Sequence, residues 1–350
     1  MPTFLIGVLL SLLAATAWGS ALVIFKVGVK NVDSFVATYV RGLFAIPLLI
    51  ILGITINGTE TFSKLLLFPN YIWLILGGIS IAFGDFFSLF ALRKIDVSIS
   101  QPITAIYPIF TTLTLLIAKI ENINWFIISG TILISLGVIL ISFFSQRSEN
   151  KRLKNSKVEE NTTDFQPIKK VLPLGIGLSI TAAVFWGIAI VFNRIILEDQ
   201  SIDVLPLMGL RNGIMVIIFA IIVLIRPILN KEKYKSKILP PRKESLILMA
   251  GGTISWCVGG VSFFTAVKII GAGFSTPISS ISPFVVMLLG GLFLKEKITY
   301  PQIIGVAIIV AGSIILSLPE LLHINRIKIL SSPNELISWF ENHEYLSNFL

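Results

Sequence analysis

Eight segments of this chain run for 20 to 26 residues without a single Asp, Glu, Lys or Arg. They lie at residues 1–25, 65–84, 97–118, 122–146, 171–193, 245–267, 269–294 and 298–319. Two further apolar spans, 34–56 and 204–225, each contain one arginine, Arg41 and Arg211. A helix needs about 20 apolar residues to cross the hydrocarbon core of a bilayer. The ten spans predict an all-α integral membrane protein with ten transmembrane helices, placed in the cell membrane as a multi-pass protein.

The composition agrees with a bilayer environment. Only 13% of the residues are charged, whereas soluble domains carry roughly 25%. The net charge of +9 is typical of a membrane protein whose cytoplasmic loops collect lysine and arginine, so we expect no nucleic-acid partner. No charge precedes Lys26, which favours a first transmembrane helix over a cleaved signal sequence. The single Cys257 excludes an intramolecular disulfide and a multi-cysteine metal site.

The two halves of the chain repeat each other at a shift of 175 residues. The shift superposes the pairs Ser80/Ser255, Gly84/Gly259, Ser100/Ser275, Pro102/Pro277, Pro108/Pro283, Glu121/Glu296, Gly130/Gly305 and Gly137/Gly312. Nearer the start of each half the shift falls to 168 for Trp18/Trp186 and to 170 for Arg41/Arg211. Each half holds five predicted helices, an odd number, so the second half must enter the membrane from the opposite side. The sequence therefore predicts two inverted five-helix repeats, an architecture typical of secondary transporters.

Two prolines lie six residues apart in the fourth predicted helix of each half, at Pro102 and Pro108 and at Pro277 and Pro283. Proline inside a helix costs about 3 kcal/mol. Broken helices are tolerated in a bilayer where neighbouring helices or a water-filled cavity satisfy the freed backbone groups. We expect helices 4 and 9 to be bent and to face a central cavity that helices 1, 3, 6 and 8 also line. A packing kink without a role in transport is the alternative.

The segments "ENINWFIISGTILISLG" and "EKITYPQIIGVAIIVAG" each begin with a glutamate, followed by glycines nine and sixteen residues on. Together with the Trp-Gly pairs at 18–19 and 186–187, this pattern resembles the EamA domains of the drug/metabolite transporter superfamily over about residues 5–319. The resemblance implies a ten-helix permease for small solutes without a cofactor, and it leaves the substrate open. Physically, the glutamates are expected at the starts of helices 5 and 10, where a carboxylate complements the helix dipole. The glycines are expected to allow close helix approach. The residues concerned are Glu121, Gly130, Gly137, Glu296, Gly305 and Gly312.

The predicted organisation is a first repeat over 1–145, a charged linker over 146–170, a second repeat over 171–319 and a tail over 320–350. The tail contains a short helix with Ser332 as its cap. The loops after helices 1, 3, 5, 7 and 9 hold 20 Lys and Arg, and the opposite side holds 6. The positive-inside rule places the richer side in the cytoplasm and both termini outside, whereas the family resemblance favours cytoplasmic termini.

Three ionisable residues lie within predicted helices: Arg41 and Arg211 in the two spans that contain an arginine, and Asp85 past the middle of helix 3, directly after the charge-free stretch 65–84. Each costs about 2.5–3.5 kcal/mol on insertion scales, so each is a candidate for function. Asp85 could couple transport to a proton or a cation, and the arginines could attract an anion. Alternatively, Asp85 forms a fixed ion pair with one arginine, or the arginines reach toward the interfaces. The repeat equivalent of Asp85 is Gly260, so the acid occurs in one half only.

Four further side chains in the cavity helices can form hydrogen bonds: Trp18, Tyr107, Trp186 and Asn193. They are candidates for substrate contact, with packing or anchoring at an interface as the alternative. Both histidines, His323 and His343, lie in the tail, which excludes a histidine relay within the predicted spans. No phosphate-binding G-x-x-x-x-G-K-[ST] loop occurs, which argues against ATP-driven transport by this chain.

These features predict a secondary transporter of small metabolites or drugs that works by alternating access. Its partners would be a small-molecule substrate, a coupling proton or cation, and membrane lipid; the oligomeric state stays open. An integral-membrane enzyme acting on a lipid-linked substrate is one alternative, but it would require a cluster of acids or histidines at one interface. A passive channel or scaffold is the other alternative, which flux measured with and without an ion gradient would distinguish.

Overall fold

The computed structural model describes residues 2–29, 32–95, 97–157, 168–229, 240–293 and 300–321. Over these residues the chain folds into helices without a β-strand. The first half contains α1 (Pro2–Gly28), α2 (Ser34–Val40), α3 (Gly42–Leu52), α4 (Glu60–Leu65), α5 (Asn70–Lys94), α6 (Val97–Thr104), α7 (Tyr107–Ala118) and α8 (Trp125–Lys157). The second half contains α9 (Ile168–Ile196), α10 (Val204–Leu229), α11 (Arg242–Thr253), α12 (Val261–Ile270), α13 (Ala272–Ser279), α14 (Ser282–Phe293) and α15 (Tyr300–Leu321). Two π-helical turns, Gly53–Asn57 and Ile254–Gly260, follow α3 and join α11 to α12.

Within the described ranges, six helical segments are long and apolar enough to cross a membrane. They are Thr3–Phe25, Ser34–Asn57, Asn70–Lys94, Pro173–Ile196, Val204–Arg226 and Arg242–Ile270. Shorter apolar helices lie at Tyr107–Ala118, Trp125–Ile141 and Ile303–Leu316. Many large apolar side chains on these segments are exposed, among them Leu9, Ile51 and Ile217. Since exposed apolar surface on this scale is unfavourable in water, the helices form a bundle whose outer surface suits lipid.

The first long helix of each half packs against the other half. Helix α1 contacts α11, α12, α13 and α14 of the second half, and α9 contacts α5, α6 and α7 of the first half. Helices α8 and α15 pack against each other along their length. The halves therefore interdigitate, and their shared interface forms the centre of the molecule.

The chain breaks at the same place in the fourth predicted helix of each half. The breaks lie between α6 and α7, at 105–106, and between α13 and α14, at 280–281. After each break a new helix begins, and its second residue is the second proline of the pair, Pro108 in α7 and Pro283 in α14. The first prolines, Pro102 and Pro277, lie within α6 and α13.

The backbone hydrogen bonds at the two breaks also match, residue for residue, at a shift of 175. Ala105 N donates to Gln101 O at 2.9 Å, and Ser280 N donates to Thr276 O at 3.1 Å. The next amides, Ile106 N and Ile281 N, each bond to the carbonyl three residues earlier. Proline supplies no donor and disfavours an α conformation just before it, which accounts for the tightening and ending of the helix at this point.

Four glycines of the repeated pattern lie in the interface between α8 and α15. A Cβ on Gly130 would lie 2.9 Å from Gly312 O, and a Cβ on Gly137 would lie 2.7 Å from Gly305 O. Neither helix can therefore carry a larger side chain at these points without separating. Such small residues let helix backbones approach closely inside a membrane.

The charged region after the fifth predicted helix is partly helical. Helix α8 continues to Lys157 and α9 begins at Ile168, so helix extends into both ends of the predicted 146–170 linker. The tail helix predicted from Ser332, and the second hallmark glutamate Glu296, lie outside the described residues.

Candidate functional site

A cavity of about 130 Å³ lies between the two halves, near the break between α6 and α7 and the break between α13 and α14. Since each water molecule in the liquid takes up about 30 Å³, this is room for roughly four waters. Seven aromatic side chains contribute to its wall: Trp18, Phe25, Tyr107, Trp186, Trp256, Phe263 and Phe264. Eight polar or charged side chains also contribute: Arg41, Asp85, Ser88, Gln101, Thr104, Arg211, Ser255 and Ser282. A mostly apolar wall with a few converging polar groups is the usual form of a small-molecule site.

The structure brings Asp85 and Arg41 together as a buried ion pair. A guanidinium nitrogen of Arg41, Nη2, donates to Asp85 Oδ2. The other carboxylate oxygen, Oδ1, accepts a hydrogen bond of 2.8 Å from Trp186 Nε1. Asp85 is 6% exposed and Arg41 is 5% exposed. Asp85 thus links α5 to the α2–α3 junction of its own half and to α9 of the other half.

The position of Arg41 follows from close helix packing. Arg41 separates α2 from α3, and its carbonyl fits against Gly252 of α11, where a Cβ would overlap it. Its guanidinium lies over two rings, 5.3 Å from the centroid of Phe25 and 4.9 Å from that of Trp256. The aromatic faces and the carboxylate together hold the charge at the cavity wall.

Arg211, the repeat equivalent of Arg41, has a different environment. It is 4% exposed, and its Nε and Nη2 donate to Asn212 Oδ1 at 3.2 and 2.9 Å. Its guanidinium carbon lies 4.8 Å from the centroid of Phe264. Within the described part of the chain, no carboxylate lies within 4.0 Å of its nitrogens.

Two hydrogen bonds join the broken helices across the halves. Tyr107 shares a 2.8 Å hydrogen bond with Ser279 Oγ and also lies 3.5 Å from the carbonyl of Thr276. Gln101 Nε2 donates to Ser282 Oγ at 3.3 Å. The repeat relates these contacts, because Gln101 corresponds to Thr276 and Tyr107 to Ser282 at the shift of 175. The central cavity is therefore bounded by paired, hydrogen-bonded elements of both halves.

Trp18 and Trp186 occupy equivalent places but have different partners. Trp186 donates to the Asp85 carboxylate, and Trp18 Nε1 donates to the carbonyl of Ser255 at 2.9 Å. Ser255 lies in the π-helical turn Ile254–Gly260. A π turn has i→i+5 backbone hydrogen bonds, so the indole meets the helix where its backbone departs from regular α geometry.

Asn193 lies away from the cavity. It is fully buried, and its amide donates to the carbonyl of Ala189 one turn earlier. Its side chain packs against Gly77 of α5, so closely that a Cβ on this glycine would lie 3.2 Å from Asn193 Nδ2. The structure therefore places Asn193 at the contact between α5 and α9, where it has a packing position.

Other cavity residues carried weaker sequence signals. Gln101 and Ser282 each directly precede a proline, and their equivalents in the other half, Thr276 and Tyr107, are also polar. Their polarity inside charge-free spans could have identified them. Met208, which also lines the cavity, is an ordinary apolar residue in an apolar span and offers no such signal.

Glu121 stabilises a helix other than the one expected. Its Oε1 and Oε2 accept hydrogen bonds of 2.7 and 2.8 Å from the amides of Ala272 and Gly273, at the start of α13. Arg194 of α9 donates to the same carboxylate. Helix α8 instead has Asn124 before it, whose Oδ1 accepts from Ile127 N at 2.9 Å. The helix-dipole reasoning holds, but the helix that Glu121 caps belongs to the second half.

Among the residues that the structure describes, no group of three His, Cys, Asp or Glu side chains could hold a metal ion. The cavity's single carboxylate, Asp85, is already paired with Arg41 and Trp186. The described cavity wall offers charged groups, hydrogen-bonding groups and aromatic faces to a bound molecule.

Comparison with known proteins gives a consistent result. The profile of the EamA-like transporter family matches residues 5–143 and 173–318. An uncharacterized transporter of Archaeoglobus fulgidus is 23% identical over 323 residues, covering 91% of this chain and 100% of the relative. An uncharacterized protein of Methanocaldococcus jannaschii is 30% identical over 141 residues, 40% of this chain but 94% of that protein.

The fold is also similar to one seen in a crystal structure. The TM-score is 0.64 at 17% sequence identity, and the match covers 91% of this chain and 99% of the other. The family match spans both halves, each with its own copy of the domain, and so confirms the resemblance drawn from the repeated Glu and Gly pattern. The chain is a multi-pass integral membrane protein and belongs to the EamA-like transporter family.

Proposed function

We propose that this protein is a secondary transporter that moves small metabolites or drugs across the cell membrane by alternating access. The observation that carries the proposal is the cavity itself, because both halves line it and both present a broken helix to it. Membership of a transporter family points the same way and away from an enzyme. A rocking of one half against the other would expose the cavity to each side in turn.

The proposed architecture is ten transmembrane helices in two inverted repeats, 1–145 and 171–319. The matched breaks at 105–106 and 280–281 support it, as do the repeat-related contacts of Gln101 with Ser282 and of Tyr107 with Thr276. The relative from Methanocaldococcus jannaschii, of which 94% aligns with 141 residues here, is about as long as one half. An experimental structure in which the halves are related by an axis along the membrane normal would contradict this proposal.

A carrier fits the contacts at the centre better than a passive pore. The cavity is crossed by specific hydrogen bonds between the halves, including Tyr107 to Ser279, and buried rings surround it. Opening to either side would require these contacts to rearrange. Asp85 is the proposed coupling group, because a proton or cation arriving at its carboxylate would compete with Arg41.

The proposal can be tested without knowing the substrate. Proteoliposomes containing the full chain would be loaded with a mixture of cell metabolites. Mass spectrometry would then compare the solutes that they retain with those retained by liposomes that hold the same mixture but no protein. We expect one class of small solutes to be depleted. Ser88→Phe should prevent the loss by filling the cavity that Ser88 lines, and Ser129→Phe, outside that cavity, should not.

Retention of every solute class by the wild-type protein, or equal loss through Ser88→Phe, would contradict the proposal. An imposed proton or sodium gradient then separates coupled transport from passive flux, since only a coupled carrier accumulates solute above its equilibrium distribution.

A further inference from the structure

The charges of the cavity do not balance within the described part of the chain. Arg41 is paired with Asp85, while its repeat equivalent Arg211 has only the neutral amide of Asn212 and the ring of Phe264. Both arginines are at least 95% buried and both line the cavity. The described cavity wall therefore carries two guanidinium groups and one carboxylate.

A methionine side chain occupies the place of the missing acid. The position equivalent to Asp85 is Gly260, which also lines the cavity. A Cβ on Gly260 would overlap the terminal methyl of Met208, so the methionine fills the space that a second carboxylate would need. Trp18, the equivalent of Trp186, accordingly donates to a backbone carbonyl and not to a side-chain carboxylate.

An unpaired charge held away from water is costly, and a bound anion would supply its counter-charge. A guanidinium group presents a planar set of donors that matches the oxygen atoms of a carboxylate or a phosphate. Phe264 lies beside Arg211 and Phe263 packs against Phe264, while Trp256 lines the same cavity, so these rings offer an apolar surface for the rest of such a molecule.

We propose that Arg211 is the anchor for an anionic substrate: a small organic anion whose carboxylate or phosphate binds the guanidinium and whose apolar body lies against the rings. This inference rests on the proposed transport function and names the class of solute. The cavity volume of about 130 Å³ is close to that of an engineered cavity of about 150 Å³ that binds benzene, so the molecule would be roughly the size of benzoate or phenyl phosphate.

The test measures the unfolding midpoint of the purified full-length protein in detergent with four probes of similar shape: benzoate, phenyl phosphate, benzamide and benzylammonium. All solutions have equal ionic strength, so that screening is matched. We expect benzoate or phenyl phosphate to raise the midpoint, and the neutral and cationic probes not to. The comparison of the two anions distinguishes a carboxylate site from a phosphate site.

Two charge variants and one control variant locate the effect. Arg211→Gln strands no described carboxylate, so it should fold, and it should weaken anion affinity by about 10- to 100-fold, as expected for a charged hydrogen bond. Gly260→Asp combined with Met208→Ala restores the acid missing from the second half and should abolish the anion effect while Arg211 remains. Met208→Ala alone should keep the effect.

The inference is overturned if no anion raises the midpoint of the wild-type protein, or if benzamide or benzylammonium raises it equally. An unchanged anion effect in Arg211→Gln also overturns it. Should both charge variants fail to fold, the selectivity of the wild-type protein among the four probes decides. Anion binding without any flux would contradict the transport function and leave Arg211 as an anion-binding site only. Flux of neutral or cationic solutes alone would support the transport function and overturn this inference.

Discussion

Asp85→Asn is the substitution with the clearest expected consequence. The asparagine keeps the size of the side chain and an oxygen that can accept from Trp186, so what is lost is the negative charge opposite Arg41. Both partners are at least 94% buried. Removing one member of a buried ion pair costs about 3–5 kcal/mol, because the other charge is left uncompensated.

The double variant Arg41→Gln with Asp85→Asn removes both charges and leaves two amides that can bond to each other. It should therefore be more stable than Asp85→Asn alone, with a coupling energy of at least about 2 kcal/mol in a double-mutant cycle. Equilibrium unfolding in mixed micelles with increasing dodecyl sulfate, followed by tryptophan fluorescence, measures all four free energies.

The repeat offers a matched control. Arg211→Gln removes an equally buried guanidinium that has no carboxylate partner among the described residues, so it should cost less than Arg41→Gln. Additivity of the Arg41 and Asp85 substitutions within about 0.5 kcal/mol would refute the ion pair as a stabilising contact. Asp85→Asn protein that is stable but fails only in gradient-driven accumulation would instead favour the coupling role.

Two further predictions follow from single contacts, and a third follows from the distribution of basic residues. Gly137→Ala should lower the free energy of unfolding by about 1–3 kcal/mol, because its Cβ would meet the backbone of α15. As a control, Gly213→Ala should be neutral or stabilising, because its new Cβ would meet nothing within 4 Å. Equal losses of stability for the two variants in dodecyl sulfate unfolding would contradict the close packing of α8 against α15. Glu121→Gln should cost about 1.5–3 kcal/mol and Arg194→Gln less, since the two amide bonds to α13 remain; the reverse order would show that the helix cap contributes little. A reporter fused after Leu350 should be active only if it works outside the cytoplasm, and cytoplasmic fluorescence would show that the count of basic residues gives the wrong orientation.

The features of the fold that depend on local chemistry can be read from the sequence. Charge-free spans identify helices that lie in lipid, because an unpaired charge there is costly over any part of the segment. The broken helices are also a local effect, since Pro108 and Pro283 lack a donor and restrict the residues before them. The repeat strengthens these predictions, because each such feature occurs in both halves of the sequence.

The sequence does not predict which helix faces which, so it does not predict the contacts that depend on helix packing. Arg41 and Arg211 are equivalent in the sequence, and only the packing decides that Arg41 meets Asp85. Glu121 precedes α8 in the chain but caps α13, which comes beside it through tertiary contacts. Asn193 lies on a cavity-lining helix, yet its side chain points to a neighbouring turn of that helix.

Alternating access is tested most directly by counterflow. Proteoliposomes would be loaded with a high concentration of an unlabelled solute identified in the metabolite-retention experiment, and diluted into a trace of the same solute in labelled form. A carrier whose cavity opens to one side at a time exchanges the two, so we predict that the label rises transiently above its equilibrium level inside the vesicles. Ser88→Phe should abolish this overshoot. Simple equilibration of the label without an overshoot in the wild-type protein would contradict alternating access and indicate a passive pore.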